Sequence, residues 1–335
     1  MKPIGILGAG SWGTALAVHL ARTGHQVRLW AREAEIVEQL RDRRENETFL
    51  PGIAVPPSVE PCGGFDRALD GAGLVLVAVP SHGVRDVLRG AAPLLPPGAV
   101  IVSVTKGLEP GTLLRPSEVI AQEAGRGHPV VVLSGPSFAR EVARELPTAV
   151  CAASEDLAAA HLVQAEFRGR FFRLYTTPDV VGVEIGAALK NVIAIAAGVV
   201  EGLGLGHNAM AALITRGLTE ISRLASALGA RRETLAGLTG LGDLVLTCTG
   251  GLSRNRQVGI ELGRGRPLDD ILGHMKMVAE GVQTTAAALA LGARVGIELP
   301  IAAQMAEVLS GRKSPRAAAE ELMLRPQKGE PEGGW

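Results

Sequence analysis

Apolar runs punctuate the first half of the chain, at residues 3–7, 74–79, 100–104 (broken only by Ser103) and 130–133. Runs without polar alternation predict strands buried on both faces of a sheet. Residues 26–30, 148–152 and 171–175 read as further strands, with helical segments at 14–22, 34–43 and 155–167. Residues 44–61 are polar and proline-rich, which predicts a long loop. After Pro178 the β-branched runs stop, and segments rich in Ala, Leu and Gly continue to about Leu324. The alternation predicts an α/β, doubly wound N-terminal domain over residues 1–178. The second pattern predicts an all-α C-terminal domain over residues 179–325. Residues 326–335 are rich in Pro, Gly and charge, and predict a disordered tail.

The stretch from Val180 to Gly202 opens the second pattern. It is almost wholly apolar and small, long enough for about six helical turns. Only Glu184, Lys190 and Asn191 interrupt it before Glu201. A buried ammonium is costly unless it is paired or deprotonates. Lys190 is therefore either a structural partner or a reacting group. The length would also suit a membrane span. The mid-segment Lys190 and Asn191 favour a buried helix instead, with no integral membrane segment. Small residues such as Gly186, Ala187 and Ala194 would let backbone and substrate come close.

A chain of 335 residues exceeds one ordinary core, which agrees with two domains. The 34 Lys+Arg balance 34 Asp+Glu, so a nucleic-acid partner is not expected. A small anionic substrate needs only local positive charge. Cys62, Cys151 and Cys248 form no CxxC pair, which predicts reduced thiols and no metal site. The first strand begins within three residues, so no signal peptide is read and a cytoplasmic location is expected.

Gly8-x-Gly10-x-x-Gly13 lies between a predicted strand and a predicted helix, the context of a dinucleotide-binding turn. Gly8 allows the tight turn, Gly10 admits a pyrophosphate, and Gly13 lets helix and strand pack closely. At the end of the second strand, Arg32 leans towards NADP, while the adjacent Glu33 opposes a 2′-phosphate. Ligands of doubly wound sheets sit beyond the carboxyl ends of the strands. That rim carries His82, Lys106 and Gly135 to Ser137.

Two polar insertions, residues 239–243 with Asp243 and residues 253–257, interrupt the helical domain. Arg254 beside Ser253 and Asn255 suits a phosphate. The competing reading is a helix capped by Ser253 with exposed arginines. Residues 278–284 read as a turn opening a helix. A partly desolvated Lys190 beside a nicotinamide would be a general acid and base for hydride transfer. Lys106 could polarise the same oxygen, and Asp243 could orient Lys190. His82 reads as a supporting group at best.

These residues resemble a known family. The segments GILGAGSWGTALA, LVLVAVPSH, SVTKGLE, LSGPSFAREV, EIGAALKNVIAIAAG, LTGLGDLVLTCT, SRNRQVG and AEGVQT are together similar to bacterial NAD(P)-dependent glycerol-3-phosphate dehydrogenase, from residue 4 to about 310. The resemblance implies a Rossmann domain plus a helical domain like the C-terminal one of 6-phosphogluconate dehydrogenase, in a homodimer. It implies reduction of dihydroxyacetone phosphate to sn-glycerol 3-phosphate for glycerophospholipid biosynthesis, with Lys190 moving the proton. By similarity Lys106, Gly135, Ser137, Lys190, Asp243, Ser253, Arg254 and Asn255 would contact substrate. Ser11, Trp12, Arg32, Phe49, Lys106, Ala139, Arg254, Val278 and Glu280 would contact NADP or NAD, with NADPH favoured. Two alternatives stand beside this. Related β-hydroxyacid dehydrogenases place Lys and Asn one helical turn apart, whereas Lys190 and Asn191 are adjacent and position 194 is Ala. A non-catalytic dinucleotide sensor would leave Lys190 without a purpose.

Overall fold

The computed structural model describes residues 2–125, 127–275, 279–327 and 329. Ten strands occur among them, in chain order β1 (Ile4–Leu7), β2 (Val27–Trp30), β3 (Glu45–Asn46), β4 (Leu50–Ala54), β5 (Val59–Cys62), β6 (Leu74–Val77), β7 (Val100–Ser103), β8 (Val130–Ser134), β9 (Thr148–Ala153) and β10 (Phe172–Thr177). Eight of them form one sheet in the order β10-β9-β8-β7-β6-β1-β2-β5. The strand order reverses at β1, which pairs in parallel with β2 on one side and β6 on the other. That reversal opens the crevice used by ligands in such sheets. The central strands β1, β6 and β7 are buried throughout, as their apolar runs require, with Ser103 the one buried polar residue among them.

Seven helices accompany the sheet: α1 (Ser11–Arg22), α2 (Ala34–Glu38), α3 (Phe65–Leu69), α4 (Val84–Ala91), α5 (Pro116–Ala124), α6 (Ala139–Ala143) and α7 (Leu157–Glu166). The sheet is doubly wound as expected and carries one antiparallel pair: β9 runs antiparallel to β8 and takes β10 with it. Two expectations need correction. Residues 44–61 are not a plain loop. They hold the β3–β4 hairpin and β5, an edge strand beside β2. Pro51, Gly52 and Pro61 masked the strand signal there. The predicted helix 34–43 is α2 followed by a π-helical turn, Gln39–Arg43, stopped by Arg44 at φ 51°.

Both outer edges of the sheet are partly covered by their own chain. On β10, Phe172 exchanges backbone hydrogen bonds with Gly169, and Gln164 of α7 donates to the Leu174 carbonyl at 2.9 Å. On β5, Arg44 donates to the Val59 carbonyl at 3.0 Å, and Pro61 has no N–H to offer.

The rest is helical: α8 (Val180–Gly202), α9 (Gly206–Ala227), α10 (Arg232–Ala236), α11 (Asp243–Thr249), α12 (Arg254–Gly263), α13 (Leu268–Gly273), α14 (Glu280–Arg294), α15 (Pro300–Leu309) and α16 (Pro315–Met323). α8 is buried from Gly182 to Val199 and packs against α9, α11, α12 and α14. It is long and apolar enough to cross a membrane, but protein covers it here. Its small residues let neighbouring backbone come close. A Cβ on Gly186 would lie 2.8 Å from the Thr239 carbonyl. Gly198 and Gly202 meet Gly259 and Gly263 of α12: a Cβ on Gly198 would lie 2.0 Å from the Arg256 carbonyl, one on Gly259 1.9 Å from that of Ile195. The two backbones therefore touch, which fixes the height of the α12 N-terminus along α8.

Carboxylates from neighbouring helices close several helix starts. Glu184 of α8 accepts from the Ser117 N–H (2.8 Å) and hydroxyl (2.6 Å) at the start of α5, and pairs with Arg115 (3.0 Å). Glu220 of α9 accepts from the Ile301 and Ala302 N–H groups of α15. These bonds satisfy orphan donors while giving buried carboxylates partners. Residues 326–335, expected to be disordered, fall largely outside the described residues.

Candidate active site

Lys190 projects from the middle of α8, with 5% of its surface accessible. Its Nζ lies 2.5 Å from Asp243 Oδ1 and donates to Thr247 Oγ1 at 2.9 Å. Asp243 is the first residue of α11 and follows a π-helical turn, Leu238–Gly242, that wraps tightly over α10: a Cβ on Gly240 would lie 1.9 Å from the Leu235 carbonyl. Thr247 stands one turn further on and donates to the Asp243 carbonyl at 2.6 Å. The polar insertion 239–243 is thus a device for aiming one carboxylate into the helical core.

Asp243 also reaches the sheet. Its Oδ2 accepts from Lys106 Nζ at 2.8 Å, and Lys106 donates to the Gly135 carbonyl at 3.1 Å. Ser137 Oγ donates to the same carbonyl at 2.9 Å. Lys106 follows β7 and Gly135 follows β8, so both stand on the carboxyl rim. Gly135 has φ 141°, a backbone open only to glycine. One carboxylate therefore faces two ammonium groups. Burial lowers the Lys190 pKa to about 7; Asp243 opposes the shift and Lys106 reinforces it.

Two helix N-termini meet beside this cluster. Asn255, in the first turn of α12, accepts from the Gly281 N–H of α14 at 2.9 Å. A Cβ on Gly281 would lie 2.6 Å from the Asn191 carbonyl, so α14 starts against α8 next to Lys190. Ser253 caps α12 by accepting from the Arg256 N–H at 3.2 Å. Of the two arginines in this insertion, Arg256 is taken by Glu201. Arg254 keeps accessible surface, yet enough protein surrounds it to lower its pKa, with Glu280 acting in the opposite sense. Residues 253–257 are thus a capped helix start, as one reading expected, with Arg254 exposed and Arg256 paired.

Glu280 begins α14 and accepts from Ser81 Oγ, beyond β6, at 3.0 Å. Burial raises its pKa, against the Ser81 bond and the charges of His82 and Arg254. It fits a notch at Gly107 (φ 136°), where a Cβ would lie 2.7 Å from Ser81 Oγ and 3.3 Å from Glu280 Oε2. His82 stays exposed on the rim and bears on Glu280 rather than Lys190. Val278, named as a cofactor contact, lies outside the described residues.

The glycine turn fits a dinucleotide. A Cβ on Gly13 would lie 1.9 Å from the Gly8 carbonyl, and one on Gly8 2.6 Å from that of Ala78. A Cβ on Gly10 would meet nothing within 4 Å, so the turn is open there. No side chain caps α1, and no acid stands in its first turn, which leaves Ser11 and its neighbours ready for an anion. The Trp12 indole N–H is buried without a partner among the described residues. Trp12, Phe49 and Ala139 all pack against the same core. Arg32 lies at the end of β2, 81% exposed, and its Nε and Nη2 both donate to Glu33 Oε1, at 3.0 and 2.8 Å.

Thr247 and Ser81 were missed from sequence. The signal for Thr247 was its position four residues after Asp243, on the same helix face. Ser81 stands at the crevice end of the β6 run beside His82, but its bond to Glu280 left no signal, since that partner is distant in the chain.

A dinucleotide turn on the sheet, with a buried lysine of the helical half tied through Asp243 to Lys106 on the sheet's carboxyl rim, defines an NAD(P)-dependent dehydrogenase. Family models for NAD-dependent glycerol-3-phosphate dehydrogenase match residues 3–160 (N-terminus) and 179–320 (C-terminus). The chain belongs to that family. It is 54% identical to glycerol-3-phosphate dehydrogenase of Acidobacterium capsulatum, over 98% of this chain and 100% of that one. It is also 54% identical to that of Geobacter sulfurreducens, over 98% of each. The crystal structure of glycerol-3-phosphate dehydrogenase from Coxiella burnetii superposes with a TM-score of 0.93 at 42% identity, covering 97% and 99% of the two chains.

Proposed function

We propose that the chain reduces dihydroxyacetone phosphate to sn-glycerol 3-phosphate, reversibly, with Lys190 as the proton donor and acceptor. The observation that carries this is Lys190 itself: buried, held by Asp243 and Thr247, with a pKa near neutrality. Such a group can serve as acid or base at physiological pH. When bound, the reduced nicotinamide supplies the hydride to the carbonyl carbon. Lys190 gives its proton to the carbonyl oxygen, which becomes the hydroxyl. Lys106 helps hold that oxygen, and Asp243 keeps both ammonium groups oriented. Arg254, with Ser253, Asn255 and the α12 N-terminus, takes the phosphate; Gly135 and Ser137 complete the rim.

Residues 1–178 act in this reading as the cofactor domain and residues 179–325 as the substrate domain. Gly8, Gly10, Ser11, Trp12, Gly13, Phe49, Ala139 and Glu280 hold the dinucleotide. Arg32 favours NADPH. The product serves glycerophospholipid synthesis, and the enzyme works in the cytoplasm as a homodimer.

The test is oxidation of NADPH and of NADH with dihydroxyacetone phosphate, dihydroxyacetone and 2-ketoacids. Turnover confined to the phosphorylated ketone is expected. Lys190→Ala should lower kcat about 100- to 10,000-fold with little change in cofactor Kd. Turnover with ketoacids alone, or a near-normal Lys190→Ala, would overturn the reading.

A further inference from the structure

Asn46 ends β3, the first strand of the β3–β4 hairpin, and has no accessible surface. Its Nδ2 donates to the Ala9 carbonyl at 2.8 Å and to Thr14 Oγ1 at 2.9 Å. Its Oδ1 accepts from the Phe49 N–H at 3.0 Å. Thr14 Oγ1 in turn donates to the Ala9 carbonyl at 3.3 Å, which closes a triangle. Ala9 lies in the glycine turn, Thr14 in the first turn of α1, and Phe49 in the hairpin. Two residues beyond Phe49, the Pro51 carbonyl accepts from Arg140 of α6 at 3.1 Å, beside Ala139. One buried amide thus joins three segments of the cofactor side.

A trans peptide is planar, with its C=O and N–H on opposite sides. With the Ala9 carbonyl held towards Asn46, the N–H of Gly10 must point away from it. Gly10 is the residue at which the turn is open. We propose that Asn46 is a positioning residue for the dinucleotide: it sets the Ala9–Gly10 peptide and ties the Phe49 hairpin to the glycine turn, so that both form one preformed unit. The proposal rests on the dinucleotide reading of that turn. An amide is the group required, because the site needs two donors and one acceptor from one short side chain. A carboxylate has the same shape but no donor, and would face the Ala9 carbonyl with a like partial charge.

The experiment compares Asn46→Asp and Thr14→Val with the wild type. NADPH and NADH affinities are measured by fluorescence titration, and the KM for dihydroxyacetone phosphate at saturating NADPH. Asn46→Asp should weaken both cofactors alike, about 10- to 100-fold for two lost hydrogen bonds, because the turn faces the phosphates they share. The KM for dihydroxyacetone phosphate should stay within about threefold. A folded Asn46→Asp with wild-type NADPH affinity overturns the proposal. If Asn46→Asp does not fold, Thr14→Val decides, since it opens the triangle at constant volume. A severalfold rise in its NADPH Kd at unchanged substrate KM supports the proposal, and an unchanged Kd overturns it. A wild type that binds no dinucleotide would overturn the underlying reading of the turn, a different outcome from selective insensitivity of the variants.

Discussion

Lys190 sits where a positive charge is disfavoured, and Asp243 restores only part of what burial takes away. The reaction should therefore titrate near pH 7. Ketone reduction uses the ammonium form, so its kcat should fall as pH rises through about 7. Alcohol oxidation uses the free amine and should rise over the same range. Opposite pH profiles in the two directions are the expected result, measured at saturating substrate. Stability follows a related sign. The folded pKa lies below the usual 10.5, so between the two values the unfolded chain binds more protons. The Lys190 contribution to stability should rise across that window. Glu33 offers a second residue-scale prediction. It occupies the guanidinium that would meet a 2′-phosphate, but the pair is exposed and therefore weak. Glu33→Gln should raise the NADPH-to-NADH ratio of kcat/KM by about three- to fivefold, and Arg32→Ala should lower it; no change in either variant would remove Arg32 from cofactor choice. Lys190 was legible in sequence because a charge interrupts an apolar helix, and Asp243 because it ends a glycine-rich insertion. That one carboxylate bridges two lysines was not legible, since Lys106 and Asp243 are far apart in the chain.

Among the elements, the contact between α8 and α12 does the most to assemble the site. The glycines at 198, 202, 259 and 263 bring backbone against backbone, and the same contact sets where Ser253, Arg254 and Asn255 stand. Gly259→Ala would force a methyl group into the Ile195 carbonyl. We expect a loss of about 3 kcal/mol in a urea unfolding series, with the slope unchanged. The KM for the phosphorylated substrate should rise in the same variant, because α12 must shift along α8. A stable variant with normal KM would show that the helices have room to spare. The main strands were readable because two-sided burial makes them near-continuous apolar runs. The hairpin and β5 were not, because prolines that suit an edge strand also suit a loop. The reversal at β9 was unreadable for another reason: a strand's direction leaves no mark on its own composition.

In the whole molecule, the sheet half and the helical half are joined by buried polar bonds as well as by chain. Glu184 links α8 to the start of α5, Asp243 links α11 to Lys106, and Leu108 of the β7 loop lies in the helical core. Glu184→Ala leaves the Ser117 N–H without its acceptor and Arg115 with Glu118 alone, and should cost about 1–3 kcal/mol. The two halves should also lose their common unfolding transition. Trp12 and Trp30 report the sheet half by fluorescence, while circular dichroism weights the helices. Coincident curves in wild type and separated curves in Glu184→Ala are expected; coincidence in both would show that Glu184 couples nothing. The partly covered outer strands bear on how copies of the chain can meet. Exposed strand edges are the usual template for intermolecular pairing, runaway aggregates and exchanged strands. Here Gly169 and Gln164 occupy one edge, and Arg44 and Pro61 blunt the other. The backbone ladder left free on either edge is thereby shortened, which disfavours edge-to-edge pairing between copies.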